Sequence, residues 1–251
     1  MRIIYHKEAV STNTLALELA RKGARAGTVV WAGCQTGGRG QHDRSFASPP
    51  GGLYFSLILT PDIAMECLPL LTLAAGVGCA LALEEVCQLS VWLKWPNDLY
   101  CGGKKLGGIL SEAVPGQQAG LPVVVIGVGI NVNSSVKAFP PRLTDRLTSV
   151  YAEKGRRYAV QPLLEKCCSS LMAQADLLIR NPDKLLALWD RRDYCKGRRL
   201  GWENGKDFVL GTGQGILSDG RYGLVTDDGA LRPVLAGRLR LLPEERNENQ
   251  A

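Results

Sequence analysis

The chain has 251 residues, 45% of them hydrophobic, which predicts a folded core and argues against a disordered protein. Its 30 basic and 24 acidic side chains give a net charge of +6, which permits an anionic ligand without requiring a nucleic acid. The 8 cysteines have no C-x-x-C spacing and His6 lies far from His42, which argues against a structural zinc site. Because the sequence does not begin with a charged and apolar leader, we expect a protein of the reducing cytosol.

Alternating helix and strand patterns fill the first half of the chain. Strands are predicted by apolar and β-branched runs at 3–5, 28–32, 53–59, 91–95, 109–111 and 123–129. The last run is rich enough in β-branched residues to indicate a central, buried strand. A helix is expected to begin at Ser11 or Thr12, whose hydroxyls suit an N-cap. The apolar stretch from Leu68 to Val86 contains Pro69, Glu84 and Glu85, which favours a buried core helix over a membrane span.

The second half changes character after two further helices, predicted at 161–180 and 184–189. Short strands follow, separated by Asn-Gly and Asp-Gly turns at 204–205, 219–220 and 228–229. This spacing predicts a small antiparallel barrel. We therefore expect a main domain over residues 1–193, a small barrel over 194–245 and a tail over 246–251, with fraying after Pro243.

A glycine-rich segment, Gly37 to Arg44, lies between two predicted strands and contains Arg39 and Arg44. Glycines let backbone N–H groups approach an anion closely, and the arginines add charge and forked donors. The pattern predicts a mobile anion-binding loop, although a flexible, solvated turn would have the same composition.

The segment Lys94-Trp95-Pro96-Asn97-Asp98 places a cation, an aromatic ring, a rigid turn and a carboxylate at the end of a strand. Ligand sites gather at such positions in proteins that combine helices and sheets. Two nucleotide-binding patterns are excluded nearby. Gly127-x-Gly129-Ile130-Asn131 lacks the third glycine of a dinucleotide site, and residues 102–108 lack the Walker spacing.

In chain order, these segments resemble the motif set of the biotin protein ligases over residues 3 to about 133. The segments are Ser11-Thr12-Asn13, Gln35 to Gly40, Lys94 to Leu99, Lys105 to Leu110 and Gly127 to Asn131. The resemblance implies an α+β fold: a mixed β-sheet flanked by helices, similar to class II synthetases, followed by a small C-terminal SH3-like β-barrel.

The resemblance implies an ATP-dependent ligase that works in two steps. The carboxylate of biotin attacks the α-phosphate of ATP, giving biotinyl-5′-AMP and pyrophosphate, with Mg²⁺ held mainly by the phosphates. A lysine of the biotin carboxyl carrier protein of acetyl-CoA carboxylase, or of a related carboxylase, then takes the biotinyl group. A homodimer that binds neither nucleic acid nor a membrane is expected.

The same resemblance assigns three overlapping sets of residues. The catalytic set is Arg39, Arg44, Asp98 and Lys105. The biotin-binding set is Ser11, Thr12, Asn13, Gln35, Gly38, Arg39, Gly40, Gln41, Phe46, Lys105, Gly108, Leu110, Gly127 and Gly129. The ATP-binding set is Arg39, Arg44, Trp95, Asn97, Lys105 and Asn131.

The loop departs from the family pattern, which commonly has a third arginine and ends in Trp. Here Gln41, Asp43 and Phe46 occupy the loop, so it is less basic, while Phe46 still suits the apolar face of biotin. We expect residues 37–46 to order over the ligand and to exclude water from the reactive adenylate. We also expect the adenylate to be retained less tightly than in arginine-rich members.

Family members that repress transcription carry a winged helix before the catalytic domain. Because the Ser-Thr-Asn motif begins at residue 11, we expect a ligase alone. Two alternatives remain. Lipoate attachment or octanoyl transfer shares the broad fold but would need a tunnel for a long acyl group. A nucleic-acid-binding module would use the basic cluster Arg191, Arg192, Lys196, Arg198 and Arg199, which lacks the aromatics typical of such sites.

Overall fold

The structure is a computed structural model that describes residues 1–41, 44–115 and 121–242. His42, Asp43, residues 116–120 and the predicted frayed tail lie outside these residues. The strands are β1 Arg2–His6, β2 Thr28–Ala32, β3 Leu53–Leu59, β4 Trp92–Lys94, β5 Asp98–Cys101, β6 Lys104–Pro115, β7 Pro122–Ile130, β8 Arg199–Asn204, β9 Asp207–Ile216, β10 Tyr222–Val225, β11 Leu231–Val234 and β12 Arg238–Leu241. The helices are α1 Thr12–Arg21, α2 Leu68–Cys87, α3 Pro141–Thr144, α4 Val150–Lys154, α5 Val160–Arg180 and α6 Pro182–Asp190, with 3₁₀ turns at Met65–Cys67 and Val136–Ala138.

Within the described ranges, β1 to β7 form one sheet in the order β1-β2-β3-β7-β6-β5-β4. β1 and β2 are parallel and the other neighbours are antiparallel, so this larger sheet is mixed. The predicted central strand is confirmed, since β7 lies between β3 and β6 and most of its residues are buried.

Helices cover both faces of the larger sheet because its strands are apolar on both sides. On one face Ala16, Leu17 and Ala20 of α1 pack against Val30 and Val125. On the other face lie α2, α5 and α6, whose apolar residues form the main core with β3, β6 and β7.

Helix α2 is long and apolar enough by composition to cross a membrane, but most of it is buried within the protein. It packs closely on α5. A Cβ atom at Gly78 would lie 2.7 Å from the Cα of Leu171, so glycine is required where the two helices approach. As expected from Leu68 to Val86, α2 is a core helix.

The C-terminal sheet, β8 to β12, is antiparallel in the order β11-β10-β9-β8-β12 and is compatible with an SH3-like barrel. Its hairpins turn at the predicted Asn-Gly and Asp-Gly pairs, where Gly205, Gly220 and Gly229 all have positive φ. The predicted boundary near residue 194 falls between the end of α6 and the start of β8.

Candidate active site

A cleft of about 350 Å³ opens at the N-terminus of α1, between the loop that follows β2 and the hairpin of β4 and β5. Its walls come from both sheets. Most of the residues assigned from sequence line it, namely Ser11, Thr12, Asn13, Gln35, Arg39, Gly40, Gln41, Arg44, Phe46, Trp95, Asn97, Asp98, Lys105, Gly108, Leu110, Gly127 and Gly129. The structure thus brings together residues that are more than 100 positions apart in the chain.

One end of the cleft has a floor of neutral polar groups. The backbone N–H of Thr12 donates to Gln35 Oε1 at 2.9 Å, and the Thr12 hydroxyl lies 3.2 Å from the same oxygen. Ser56, which is fully buried on β3, donates to Asn13 Oδ1 at 2.6 Å and lies 2.8 Å from Thr12 Oγ1. Ser11 caps α1 by accepting from the N–H of Thr14. Hydrogen bonds within the protein thus hold these polar groups in place.

Two glycines of β7 make room for this floor and for an aromatic ring. A Cβ atom at Gly127 would lie 1.9 Å from Asn13 Oδ1, and one at Gly129 would lie 2.4 Å from the Phe46 ring. Any larger residue would displace Asn13 or Phe46. The double-glycine motif therefore allows a side chain from α1 and one from the loop to lie directly on the strand.

Lys105 Nζ and Asp98 Oδ1 form an ion pair, and both residues line the cleft. Asp98 begins β5 and Lys105 lies near the start of β6, so the β5–β6 hairpin places the two side chains together. The preceding turn is fixed by Asn97, whose Nδ2 donates to the Ile109 carbonyl at 2.6 Å. The ammonium of Lys105 also lies 6.0 Å from the centroid of the Phe46 ring.

The glycine-rich loop forms a narrow turn above the cleft. The Phe46 N–H donates to the Gly38 carbonyl at 2.8 Å, and the Gly40 N–H donates to the Arg44 carbonyl at 2.7 Å. Arg39 Nη2 donates to Glu112 Oε2 at 2.5 Å. The expectation that Asp43 makes the loop less basic falls on a residue outside the described ranges.

The far end of the cleft contains Lys94 and Arg238. Burial lowers the pKa of the Lys94 ammonium, and the positive charge of Arg238 acts in the same direction. Lys94 Nζ donates to the Tyr100 hydroxyl at 3.4 Å. Arg238 comes from the C-terminal sheet, and none of the described carboxylates pairs with it. This end of the cleft is suited to an anion.

Three residues assigned from sequence contribute no side-chain hydrogen-bonding group to the cleft. The indole of Trp95 is buried against Tyr222, at a centroid distance of 5.9 Å, and donates to the Gly220 carbonyl. This contact joins the two sheets, and the assignment of Trp95, which still lines the cleft, to ATP stays a prediction. Gly38 lies beneath Phe46, since a Cβ there would be 2.4 Å from the Phe46 carbonyl oxygen.

Asn131 is the third such residue. It is buried and does not line the cleft, and its Nδ2 donates to the Thr148 carbonyl at 2.9 Å. Its Oδ1 is buried without a hydrogen-bond partner among the described residues. Thr148 follows Leu147, which does line the cleft, so Asn131 lies in the layer behind the cleft wall.

Sequence reasoning missed several residues of the site. Leu143, Arg146 and Leu147 belong to a region without a clear helix or strand pattern, and Arg238 belongs to the other domain. Glu112 binds both Arg39 and Asn13. A lone carboxylate in the apolar strand from Leu106 to Val114 was a signal that could have identified it.

Residues 7–131, which carry most of the cleft, match the biotin/lipoate A/B protein ligase family. The chain is 32% identical to the biotin–acetyl-CoA-carboxylase ligase of Mycobacterium tuberculosis over 222 residues, which cover 84% of this chain and 78% of that protein. The chain belongs to the biotin protein ligase family.

Solved structures of the family have the same fold. The biotin protein ligase from Aquifex aeolicus in complex with biotin and ATP is 28% identical, with a TM-score of 0.84 over 96% of this chain and 99% of that one. The mixed sheet with flanking helices, predicted from the sequence, is confirmed by this likeness. The bifunctional ligase/repressor BirA of Bacillus subtilis is 42% identical over 62% of this chain, and the chain spans about half (48%) of the length of that relative.

Proposed function

We propose that this biotin protein ligase family member activates biotin with ATP and then transfers the biotinyl group to a lysine of a biotin carboxyl carrier domain, as found in acetyl-CoA carboxylase and related carboxylases. The observation that carries the proposal is the cleft itself. It combines a neutral polar floor, a lysine–aspartate pair and an arginine-bearing loop within one cavity of about 350 Å³.

The polar floor suits the ureido group of biotin. That group is neutral and needs neutral donors and acceptors, which Ser11, Thr12 and Gln35 supply. Leaving such a group unpaired on burial would cost about 1–3 kcal/mol. Phe46, which lies on Gly129, presents an apolar surface for the rest of the molecule.

The first step brings the carboxylate of biotin to the α-phosphate of ATP, so two negative groups must approach each other. Cations fixed in advance lower this repulsion, and Arg39, Arg44 and Lys105 all line the cleft. Lys105 is held by Asp98, and Arg39 is held by Glu112. Both cations are therefore oriented without having to be ordered during the reaction.

Mg²⁺ would screen the phosphate charges in this step. Among residues 1–41, 44–115 and 121–242 there is no group of three or more His, Cys, Asp or Glu side chains placed to hold a metal ion. The role of the ion stays a prediction.

The assignment of Asn131 to ATP stays a prediction, supported by its buried Oδ1, which has no hydrogen-bond partner among the described residues. The exocyclic amino group of adenine is a donor, and an orphaned buried acceptor is costly until it finds one. Asn131 therefore keeps its assignment to ATP, although it does not line the cleft in this structure.

In the second step the attacking lysine of the carrier must lose a proton. Asp98 is the one carboxylate among the described residues that line the cleft. We assign to Asp98 Oδ1 or Oδ2 the acceptance of that proton. Lys105 remains beside it to hold the departing AMP phosphate.

The ion pairs formed by the basic cluster argue against the nucleic-acid alternative. Arg192 pairs with Glu84, Lys196 with Asp190, and Arg199 with Asp227. Action as a ligase without operator binding, a cytosolic location and a homodimer all stay predictions.

Release of pyrophosphate before any carrier is added tests the proposal. With ATP and Mg²⁺, we expect release that depends on biotin and is not supported by lipoate or octanoate. Release with lipoate but not biotin would instead favour the lipoate reaction. No release with any of the three acids would overturn the adenylation step.

A further inference from the structure

Glu112 lies on β6, outside every motif used to assign the site, yet it connects two parts of that site. A single carboxylate oxygen, Oε2, accepts from Asn13 Nδ2 at 2.8 Å and from Arg39 Nη2 at 2.5 Å. Asn13 is buried in the polar floor, whereas Arg39 belongs to the loop. Glu112 is therefore the point at which the floor and the loop are joined.

The connection continues through the floor and returns to the loop. Asn13 is bonded to Ser56, which lies against Thr12, and Thr12 donates to Gln35. Gln35 donates to Ser48 at 2.8 Å, and the Ser48 hydroxyl donates to the Phe46 carbonyl at 3.0 Å. The complete path runs through Arg39, Glu112, Asn13, Ser56, Thr12, Gln35, Ser48 and Phe46.

We propose that Glu112 is a positioning residue that fixes the Arg39 guanidinium over the cleft and couples its orientation to the polar floor. This inference rests on the proposed function, because Arg39 is assigned there to the adenylation step. Glu112 does not touch substrate. It acts through Arg39.

The chemistry of the guanidinium allows this role. Arginine has five N–H donors in a rigid fork, so one nitrogen can bind Glu112 while the others face an anion. Without Glu112, an arginine side chain that is 43% exposed would sample many rotamers, and ordering it would oppose each catalytic cycle. The carboxylate also balances the charge of Arg39 until an anionic substrate arrives.

The arrangement differs from an ordinary surface ion pair, which contributes little to stability. The Glu112 side chain is only 28% exposed, and it shares its oxygen with a buried amide whose other contacts are fixed. Arg192 and Glu84 form a comparable half-buried pair on the opposite side of the larger sheet, away from the cleft. Glu84 therefore provides a matched control.

The experiment compares wild type with Glu112→Ala, Glu112→Gln, Arg39→Ala and the double variant Glu112→Ala/Arg39→Ala, with Glu84→Gln as the control. The first readout is trypsin cleavage after Arg39 in the full chain without ligands. We expect faster cleavage in Glu112→Ala than in wild type or Glu84→Gln. Equal cleavage rates would overturn the inference, whether or not the protein proves to be a ligase.

The second readout is the kinetics of biotin-dependent pyrophosphate release. We expect Glu112→Ala to lower kcat by roughly ten- to hundredfold, the range expected when a charged group is misplaced, with a smaller change in the KM for biotin. Glu112→Gln keeps the acceptor without the charge and should fall in between. Glu84→Gln should match wild type.

The double variant decides whether Glu112 acts through Arg39. If it does, Glu112→Ala will add little to the effect of Arg39→Ala. If the two effects multiply, Glu112 acts on its own and the inference is wrong. An inactive wild type would contradict the proposed function instead, and the trypsin result would still decide the positioning of Arg39.

Discussion

Gln41 lines the cleft beside Arg39 and Arg44, at a loop position where the family commonly has a further arginine. A neutral side chain at this position leaves this part of the cleft wall with one cation fewer than an arginine would give. The loop therefore relies on Arg39, which Glu112 already engages, and on Arg44.

We predict that Gln41→Arg will slow the release of biotinyl-5′-AMP, because it adds a charge-assisted contact to the phosphate. The off-rate should fall about fivefold or more, the effect of roughly 1 kcal/mol. Stopped-flow measurement of adenylate release checks this. Gln161→Arg, which adds the same charge on the exposed side of α5, should leave the off-rate unchanged, and an unchanged rate in Gln41→Arg would refute the prediction.

Asp98 forms an ion pair with Lys105 and is assigned the proton of the carrier lysine. These two roles can be separated by measuring adenylate formation and transfer to the carrier independently. We predict that Asp98→Asn will slow transfer to the carrier by about 100-fold or more, since a general base is lost. Adenylate formation should slow much less. Asp227→Asn, in the exposed pair with Arg199, is the control, and equal losses in both steps would argue against a proton acceptor at Asp98.

At the scale of elements, the regular strands and helices could be predicted because each has a clear period. The β-branched run of β7 and the capped start of α1 are local signals. The short helices α3 and α4 were not predicted, since four or five residues are too few to show a period. Leu143 nevertheless lies within α3 and Leu147 lies between α3 and α4, and both line the cleft.

The contacts of individual side chains were less predictable than the elements. Asn13, Glu112 and Arg39 are joined across α1, β6 and the loop, and only the register of the sheet brings them together. Trp95 belongs to a recognisable motif, but its ring turns toward the C-terminal sheet, which the motif alone does not indicate.

The segment between α6 and β8 is held by a buried carboxylate. Asp193 accepts from the Cys195 N–H at 2.8 Å and from the Tyr222 hydroxyl at 2.9 Å, and thereby ties the linker to β10. Burial raises the pKa of Asp193 to about 6, and this effect outweighs the two hydrogen bonds, which lower the pKa. The folded protein therefore keeps this proton at a pH where the unfolded chain has lost it.

We predict that this group makes the protein less stable as pH rises from about 4 to about 6. In that window the folded state binds more protons than the unfolded state, so the free energy of unfolding falls with pH. The loss is about 1.4 kcal/mol per unit of pKa difference. Urea unfolding of wild type and Asp193→Asn at pH 4.5 and 7 measures it. Relative to wild type, the free energy of unfolding of Asp193→Asn should be higher at pH 7 than at pH 4.5. The same difference at both pH values would contradict a raised pKa of Asp193.

For the whole molecule, the C-terminal sheet contributes to the site rather than only to stability. Gly237, Arg238 and Leu239 line the cleft, and the turn before them is held by Trp202, whose indole donates to the Ala236 carbonyl at 2.8 Å. A cation from the second domain thus faces Lys94 of the first.

We predict that Arg238→Ala will raise the KM for ATP about fivefold, the effect of roughly 1 kcal/mol from one exposed charge, and that the effect will shrink at high salt. The KM for biotin should not change. Arg240→Ala is a close control, because Arg240 lies on the same strand but pairs with Glu203 at 2.8 Å. A raised KM for the carrier with an unchanged KM for ATP would place the carrier, not the polyphosphate, at this end of the cleft.

In the proposed function, one cleft both activates biotin and delivers it to a protein lysine. The most direct measurement is the intact mass of a biotin carboxyl carrier domain incubated with the protein, biotin, ATP and Mg²⁺. We expect the addition of one biotinyl group to one lysine, dependent on both biotin and ATP. A carrier of unchanged mass would show that the cleft does not deliver biotin to a protein lysine.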